Sequence, residues 1–332
     1  MKAYNAKYAI VVDQGSRPGP SLIPRQDGGE DVKTLLLDHH ESDEFPENTL
    51  VLSACRHEPV ATSATLAYVL CLPLHDKVAA RCDYLCAMGT IGDLGTSFKW
   101  DPPFPDMKPC FKRYTKKAIN EAVSLVNAPR RTARFDAESA WDAIVASTSP
   151  GDITSPKSPH TRRLLEARAE VYAEVERCTH VAPQFSGDGK VALLRISSQA
   201  QVHPVIATRW AGHLKSPRLQ IVMAANTGYH PGTTHFSCRI ARQARAAANV
   251  DIIAMLKAYA DREPGLREAM GENFARGHKQ ASGGIVKTEH FERLWQVMVD
   301  SIDTAARERP PQKRQKKTEP GQQTLTGWLG KP

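Results

Sequence analysis

The first hundred residues alternate short apolar runs with amphipathic stretches. Apolar runs at residues 8–12 and 34–37, each bounded by polar residues, predict buried strands. Residues 60–70 predict a helix that begins at a threonine or serine cap. Such an alternation is typical of a mostly parallel sheet covered by helices. We therefore predict an α/β fold for this part of the chain.

Helical periodicity dominates the middle of the chain. A proline-rich loop at 100–109 precedes predicted helices at 111–126 and 133–146. Residues 147–161 are rich in Ser, Thr, Pro and Gly, which predicts a surface loop or hinge. The stretch 164–178, in which Glu and Arg are interleaved, predicts a long helix that connects two lobes.

The last periodic segments mix strands and helices in a different order. Strands are predicted at 190–196, 219–225 and 234–240, and helices at 203–213, 250–259 and 289–301. This arrangement is typical of a small α+β domain. The expected organisation is a first domain at 1–146, a hinge loop and connecting helix at 147–185, a second domain at 186–303 and a disordered tail at 304–332.

Composition narrows the class of protein. A chain of 332 residues is long enough for about two domains. No stretch approaches the roughly 20 consecutive apolar residues that span a bilayer, and the start lacks a signal-peptide pattern, so we expect no membrane association. Seven cysteines without a paired metal-binding spacing predict reduced thiols in a cytosolic or nuclear compartment. Because residues 307–317 hold six basic residues and one acidic residue of a chain whose net charge is +8, the folded part is only mildly basic.

Acidic and imidazole side chains follow the predicted strands. Asp13 ends the first apolar run, and Asp38-His39-His40 ends the second. Asp93 lies in a glycine-rich stretch, 89–95, which predicts a turn after an apolar segment. Ligands in open α/β sheets bind outside the strand ends, and carboxylate mixed with imidazole suits Mn²⁺, Mg²⁺ or Zn²⁺. The alternative is that each Asp caps a turn or a helix.

These motifs, in this order, resemble those of the DHH phosphoesterases, which include RecJ-type exonucleases, cyclic-dinucleotide and oligonucleotide phosphodiesterases and family II pyrophosphatases. Residues 12–15 resemble the second motif of that family, 38–40 the third and 89–93 the fourth. Residues 276–284 are similar to the glycine-rich signature of the associated DHHA1 domain, and 237–239 to the Ser-x-Arg that precedes it. The resemblance implies a mostly parallel DHH domain and a smaller α+β DHHA1 domain, joined by a helix.

The resemblance also implies roles for the residues of the first domain. Asp13, His39 and Asp93 are expected to bind metal, which in the family is a pair of Mn²⁺ or Mg²⁺ ions bridged by the residue equivalent to Asp13. His40 is expected to point toward the substrate phosphate. Asp38 is expected to orient a ligand or a water, unless it only caps the turn.

In the second domain, the same resemblance points to a phosphate-binding region. Gly277, Gly283 and Gly284 allow close backbone approach, so that backbone N–H groups could hold a phosphate. Arg239 and His278 can hydrogen-bond the same group. The alternatives are a surface salt bridge for Arg239 and a loop position for His278.

One family motif is missing from the sequence. The first motif, a His followed by Asp-x-Asp on the first strand, should precede Asp13 by tens of residues, yet residues 1–7 contain no His or Asp. Without it, one metal would lose its His and a carboxylate, and the other would lose a carboxylate. Either the sequence belongs to a longer protein or the site is impaired and holds one ion or none. The first alternative is favoured because the rest of the domain is intact.

The tail carries two further patterns. Residues 313–317 form a basic cluster that resembles a nuclear localisation signal, with a solvated charge run as the alternative. Gln322, Leu325, Trp328 and Leu329 have the spacing of the sliding-clamp (PCNA) binding box of replication and repair proteins, in which the last two positions are usually Phe or Tyr. After one helical turn, the three apolar side chains would form a plug.

Together these features predict a eukaryotic Mn²⁺- or Mg²⁺-dependent phosphoesterase of DNA replication or repair that acts on single-stranded DNA or short oligonucleotides. One alternative is a catalytically impaired scaffold or nucleic-acid-binding protein of the replisome, which the missing motif would explain. Another is a small-molecule phosphohydrolase for cyclic dinucleotides or pyrophosphate, for which a clamp-binding box would have no use.

Overall fold

Two β-sheets organise the part of the chain that the computed structural model describes, which is residues 6–24, 31–245 and 250–301. The strands, in chain order, are β1 (Tyr8–Val12), β2 (Lys33–Asp38), β3 (Thr49–Ser53), β4 (Gln184–Phe185), β5 (Val191–Ile196), β6 (Ile221–Asn226), β7 (Thr233–Ile240), β8 (Arg276–His278) and β9 (Ala281–Lys287). The helices are α1 (Ser63–Cys71), α2 (Val78–Arg81), α3 (Asp83–Leu94), α4 (Lys108–Arg113), α5 (Lys116–Asn127), α6 (Ala137–Val145), α7 (Pro150–Thr154), α8 (Pro159–Thr179), α9 (His203–His213), α10 (Ile252–Ala260), α11 (Leu266–Met270) and α12 (Thr288–Val299).

The first sheet is parallel, in the order β1-β2-β3, and β3 is a strand that the sequence analysis missed. The register aligns Ile10 with Leu35 and Leu50, so these three side chains share one face. On that face Ile10 is 66% exposed and Leu50 is 73% exposed, whereas Leu36 on the opposite face is fully buried. Parallel sheets are usually covered on both sides, and here the described residues cover one side.

The glycine-rich stretch at 89–95 is not a turn, as predicted, but the end of helix α3. The reason lies in how α3 packs against α1. A Cβ on Gly89 would lie 2.4 Å from the Cβ of Ala64, so glycine allows the two helices to approach closely. Gly95 is the C-cap of α3, and its φ of 81° ends the helix. Asp93 therefore reaches the site from the last turn of a helix.

Two other helix boundaries differ from the prediction. The helix expected at 111–126 is divided into α4 and α5, because Thr115 starts a new helix by accepting a hydrogen bond from the amide of Ala118. The loop expected at 147–161 contains α7 and the start of α8, and each of these helices begins with a proline. Proline is favoured at the first helical position because its missing N–H is not needed there.

The second sheet is mixed, in the order β4-β5-β6-β7-β9-β8, with one parallel pair, β5 and β6. Every residue of β6 is buried, because helices cover both faces of the sheet. Val171 of α8 and Ile206 of α9 pack on one face, while Leu256 of α10 and Phe291 of α12 pack on the other. Helix α8, which the sequence predicts, thus links the two lobes and contributes to the core of the second.

The glycine-rich stretch at 276–284 forms a hairpin of β8 and β9, which the sequence analysis did not predict as strands. Gly283 lies opposite Ser237 of β7 on one side and Arg276 of β8 on the other. A Cβ at this position would lie 2.3 Å from the carbonyl oxygen of Phe236. Glycine is thus required for the close approach of neighbouring strands. From the sequence pattern alone, glycines with this packing role look the same as those of a phosphate-binding loop.

Within the described residues, no helix is long and apolar enough to cross a membrane. The predicted basic cluster and the predicted clamp-binding box, including Gln322, Leu325, Trp328 and Leu329, lie outside the described residues.

The buried His203 at the start of α9 predicts acid sensitivity. Burial, with a contribution from the charges of His235 and Arg239, lowers the pKa of His203 to about 3. Because the folded-state pKa lies below the unfolded value of about 6.5, the unfolded chain binds the extra proton, and stability falls as pH decreases from about 6.5 toward 3. We expect the free energy of unfolding to fall by at most about 1.4 kcal/mol per pH unit through this residue.

Urea denaturation of the protein at several pH values between 7 and 4 measures this effect. His203→Gln should flatten the slope of stability against pH. His213→Gln, which changes an exposed histidine at the other end of the same helix, should leave the slope unchanged. Equal slopes in the parent protein and in His203→Gln would contradict the assignment.

Candidate metal centre and inter-lobe cleft

Asp13 is held in an unusual backbone conformation at the end of β1. Its φ is 63°, in the left-handed region, and its amide donates a hydrogen bond to the carbonyl of Leu37, 2.9 Å away. A non-glycine residue in a sparsely populated region costs roughly 1–3 kcal/mol, which neighbouring structure must offset. The turn directs the carboxylate toward His39, where Ser63 Oγ also donates to Asp13 Oδ1 over 2.9 Å.

Three separate elements bring oxygen and nitrogen atoms together around His39. The Nε2 atom of the buried His39 lies 3.2 Å from Asp13 Oδ1 and 3.5 Å from Asp93 Oδ2. Burial alone would raise the pKa of Asp13, but hydrogen bonds from His39 and Ser63 outweigh it and hold that pKa below its usual value. The structure therefore brings together the three residues that the sequence analysis proposed as metal ligands.

Asp38 is fully buried beneath this group. Its Oδ2 accepts a 2.6 Å hydrogen bond from Ser16 Oγ, and its Oδ1 lies 2.7 Å from His40 Nδ1 and 2.8 Å from the amide of His39. These hydrogen bonds more than offset the effect of burial and keep the pKa of Asp38 far below its usual value. The hydrogen bond between Asp38 and His40 raises the pKa of His40, although burial acts to lower it.

The second lobe meets this group through β8. The ring of His278 stacks on that of His40 with centroids 5.2 Å apart, and it lies 4.9 Å from the ring of His39. Gly277, with φ 110°, precedes His278, and a Cβ there would lie 2.6 Å from the carbonyl oxygen of Ala281. A cleft of about 910 Å³ opens beside Asp13, Asp38 and His40 and continues along the second lobe.

Gly283 and Gly284 lie in the interior of β9, between neighbouring chain segments. Gly284 is approached by the carbonyl oxygen of Asn273, to which a Cβ would lie at 2.7 Å. Gly277 lies in β8 directly before His278. Gly283 and Gly284 are thus needed for close packing, and Gly277 shapes the backbone that presents His278. The part of these glycines in phosphate binding stays a prediction.

The sequence analysis missed a basic pair, Arg130 and Arg131, in a 3₁₀ turn at Pro129–Arg131. Burial lowers the pKa of both, and the charges of Arg130 and Arg239 help to lower that of Arg131 to about 10. Among the described residues, no carboxylate forms an ion pair with Arg130, Arg131 or Arg239. Arg130 lines a second cavity, of about 360 Å³, that also contains Asp13 and Asp93.

These arginines are available for an anionic ligand next to the carboxylates, because no described carboxylate forms an ion pair with them, although the charges of Asp13 and Asp93 act on Arg130 and Arg239. The signal in the sequence was the Pro-Arg-Arg triplet between two predicted helices. A basic pair in a loop is usually exposed to solvent, and here Arg130 is exposed and Arg131 is half-buried. Only the fold shows that Arg130 lies beside Asp13 and Asp93.

The donor atoms fit one divalent cation. Asp13, Asp93 and His39 would hold it with two carboxylate oxygens and one imidazole nitrogen, a set that suits Mn²⁺ or Mg²⁺. His40 stands close enough to Asp13 and Asp38 for their ligand atoms to lie within 4.8 Å of one another. Within the described residues, the buried Nδ1 of His39 has no hydrogen-bond partner, so binding through Nε2 would leave an N–H unsatisfied at a cost of about 1–3 kcal/mol.

No protein-family model matches the chain, and no curated protein matches it in sequence. Among solved structures, the chain is similar to the exonuclease RecJ bound to manganese, with a TM-score of 0.51 and 18% identity over 91% of this chain and 77% of that one. It also matches the pGpG-specific phosphodiesterase PggH from Vibrio cholerae (TM-score 0.36, 13% identity, 81% of this chain and 84% of that one). A third match is CDC45 from Entamoeba histolytica (TM-score 0.32, 9% identity, 85% and 83%). The likeness to RecJ confirms the predicted fold class, a DHH/DHHA1 arrangement of two α/β lobes.

The proposed ligands predict binding of Mn²⁺ by the purified protein. We expect one ion per chain, with an affinity reduced by the unsatisfied Nδ1 of His39. Asp93→Asn should weaken binding by at least about tenfold, since even loss of an outer partner of a metal ligand has an effect of this size. Isothermal titration calorimetry measures both quantities.

Asp76→Asn is the matched control, because Asp76 is an exposed carboxylate of the same lobe that pairs only with the neighbouring His75 among the described residues. Its affinity for Mn²⁺ should equal that of the parent protein. Equal affinity of the parent protein and Asp93→Asn would contradict the ligand assignment.

Proposed function

We propose that this protein is a metal-dependent phosphoesterase that hydrolyses phosphodiester bonds in single-stranded DNA or short oligonucleotides. The observation that carries the proposal is the convergence of Asp13 and Asp93 on His39, between a cleft that Asp13 and His40 line and a smaller cavity that Arg130 lines. Carboxylates for a cation and guanidinium groups for phosphate, side by side, suit a polyanionic substrate.

A bound cation would supply an activated water and neutralise charge on the attacked phosphoryl group. The protein supplies the orientation of the phosphate. His40 Nδ1 donates to Asp38, and the raised pKa of His40 favours the protonated ring, in which Nε2 also carries a proton that it can donate to a phosphate oxygen. Arg130 and Arg239 hold neighbouring phosphate oxygens, and His278 packs the second lobe against His40.

The size of the cleft supports a short, single-stranded substrate. Its volume of about 910 Å³ lies at the upper end of the roughly 300–1,000 Å³ typical of small-ligand sites. Both lobes contact each other across it, through His278 and through a hydrogen bond from Arg276 to the carbonyl of Ser16. A few nucleotides fit such a space, whereas a duplex would have to separate the lobes.

The proposal predicts Mn²⁺-dependent release of nucleotides from an end-labelled single-stranded oligonucleotide. His39→Ala removes the central ligand, and Asp38→Ala releases His40, so each should lower turnover by about 100-fold or more, within the range that general acid–base groups contribute. Gel analysis of the products measures turnover, with Asp76→Asn as the control. Unchanged turnover in both variants would refute the assignment.

A second candidate, a catalytically impaired scaffold that binds nucleic acid, has specific support. Among the described residues, the Nδ1 atom of His39 has no hydrogen-bond partner that would orient the imidazole for metal binding. This candidate predicts that fluorescence anisotropy detects binding of single-stranded DNA in EDTA, while no hydrolysis is found with any divalent metal.

We further propose that the C-terminal tail binds a sliding clamp and directs the protein to the nucleus. The support is the sequence pattern of residues 313–329 alone. The full chain should bind the clamp in surface plasmon resonance, and Leu325→Ala with Trp328→Ala should abolish binding because these side chains form the plug. Gln315→Ala, outside the box, should have no effect.

A further inference from the structure

Ser16 lies where the two lobes meet. It is 1% exposed. Its hydroxyl donates to Asp38 Oδ2 over 2.6 Å, and its amide lies 3.3 Å from the same oxygen. Because Asp38 has no contact with solvent, Ser16 satisfies the oxygen of this carboxylate that does not face His40.

The backbone of Ser16 faces the other lobe. Its carbonyl oxygen accepts a hydrogen bond from Nη2 of Arg276, 3.2 Å away and 260 positions later in the chain. Arg276 begins β8 directly after Ala275, a buried non-glycine residue with φ 53°. Since such a conformation is unfavourable for alanine, the local backbone is constrained by the surrounding structure, and it presents Arg276 toward the first lobe.

These contacts form a continuous series of hydrogen bonds and ring stacking across the cleft, called here the inter-lobe circuit. Arg276 donates to Ser16, Ser16 to Asp38, and the Asp38 carboxylate accepts the Nδ1–H of His40. The ring of His40 stacks on His278, which is two residues from Arg276 in the same strand. Strand β8 of the second lobe thus makes both contacts: Arg276 bonds to Ser16, and His278 stacks on His40.

We propose that Ser16 is a positioning residue that couples closure of the two lobes to the orientation of His40. This inference rests on the proposed function and adds to it the feature that makes the reaction selective between single-stranded and bulkier substrates. A single strand that allows the lobes to close keeps the circuit intact. A bulky or double-stranded substrate that holds the lobes apart breaks the Arg276–Ser16 hydrogen bond, and His40 loses its fixed orientation. Selection between these substrates therefore acts on kcat more than on KM.

The test uses Ser16→Ala, Arg276→Ala and Arg276→Lys in the full chain. The alanine variants should each lower kcat on a single-stranded oligonucleotide by about tenfold, the effect typical of a residue that supports a catalytic group, with KM changed less than twofold. The double variant should lose no more than the single variants, because both cut the same circuit. Arg276→Lys, which keeps a donor, should recover part of the loss.

Glu272→Gln is the matched control. It removes an inter-lobe ion pair, that of Glu272 with Arg17 at 3.7 Å, and neither of these side chains is hydrogen-bonded to Asp38. Its kcat should equal that of the parent protein. An equal loss in Glu272→Gln, additive losses in the double variant, or a change confined to KM would overturn the proposal.

A spectroscopic measurement separates this proposal from the proposed function. In the metal-free protein, the Nδ1 proton of His40, bonded to Asp38, should give a downfield NMR signal that is absent from His40→Gln. Arg276→Ala should broaden or shift this signal, and Glu272→Gln should not. If no variant hydrolyses DNA but Arg276→Ala changes the signal, the coupling stands and the enzymatic function fails. An unchanged signal in a folded Arg276→Ala variant refutes the coupling.

Discussion

The burial of the Asp38 carboxylate is the constraint on which the rest of the site depends. A charged group without solvent contact is tolerated only when hydrogen bonds replace its lost hydration. Asp38 meets this requirement through Ser16 on one side and His39 and His40 on the other. The turn after β1, the turn after β2 and the direction of the His40 ring are therefore determined together. The hydrogen bond from Arg276 to the carbonyl of Ser16 connects the second lobe to these turns.

The two lobes contribute different charged groups to the site. The first lobe supplies the carboxylates of Asp13 and Asp93 around His39, and it adds Arg130 and Arg131 at its boundary with the second. The second lobe supplies Arg239 and His278. Because negative and positive groups approach the cleft from different elements, a cation and a phosphate can be held next to each other without the side chains neutralising one another. Motion of one lobe relative to the other would change both the charge and the shape of the cleft.

The sequence was sufficient for the elements whose local pattern agrees with their environment. The apolar run that became β2 is largely buried, and the charged periodic stretch that became α8 keeps its periodicity in the fold. Strand β1 forms at the predicted position, but none of its residues is buried. The glycines of α3 led to the wrong prediction of a turn, because glycine serves the close packing of helices as readily as it serves a turn. Arg130 could not be found from the sequence, since its place beside Asp13 and Asp93 depends on segments that are distant along the chain. For the same reason the inter-lobe circuit through Ser16 has no local pattern.

The packing of Gly283 also affects how an alignment of relatives should be interpreted. A side chain at this position would collide with the backbone of β7, so this packing requires glycine whatever the protein binds. Invariance of the glycine signature would therefore report on the fold and not on catalysis. Evolutionary divergence of activity should instead be sought at Arg276 and His278, whose side chains face the cleft and are not required by strand packing. A lineage that kept the glycines but varied those two residues would have kept the fold and changed its chemistry.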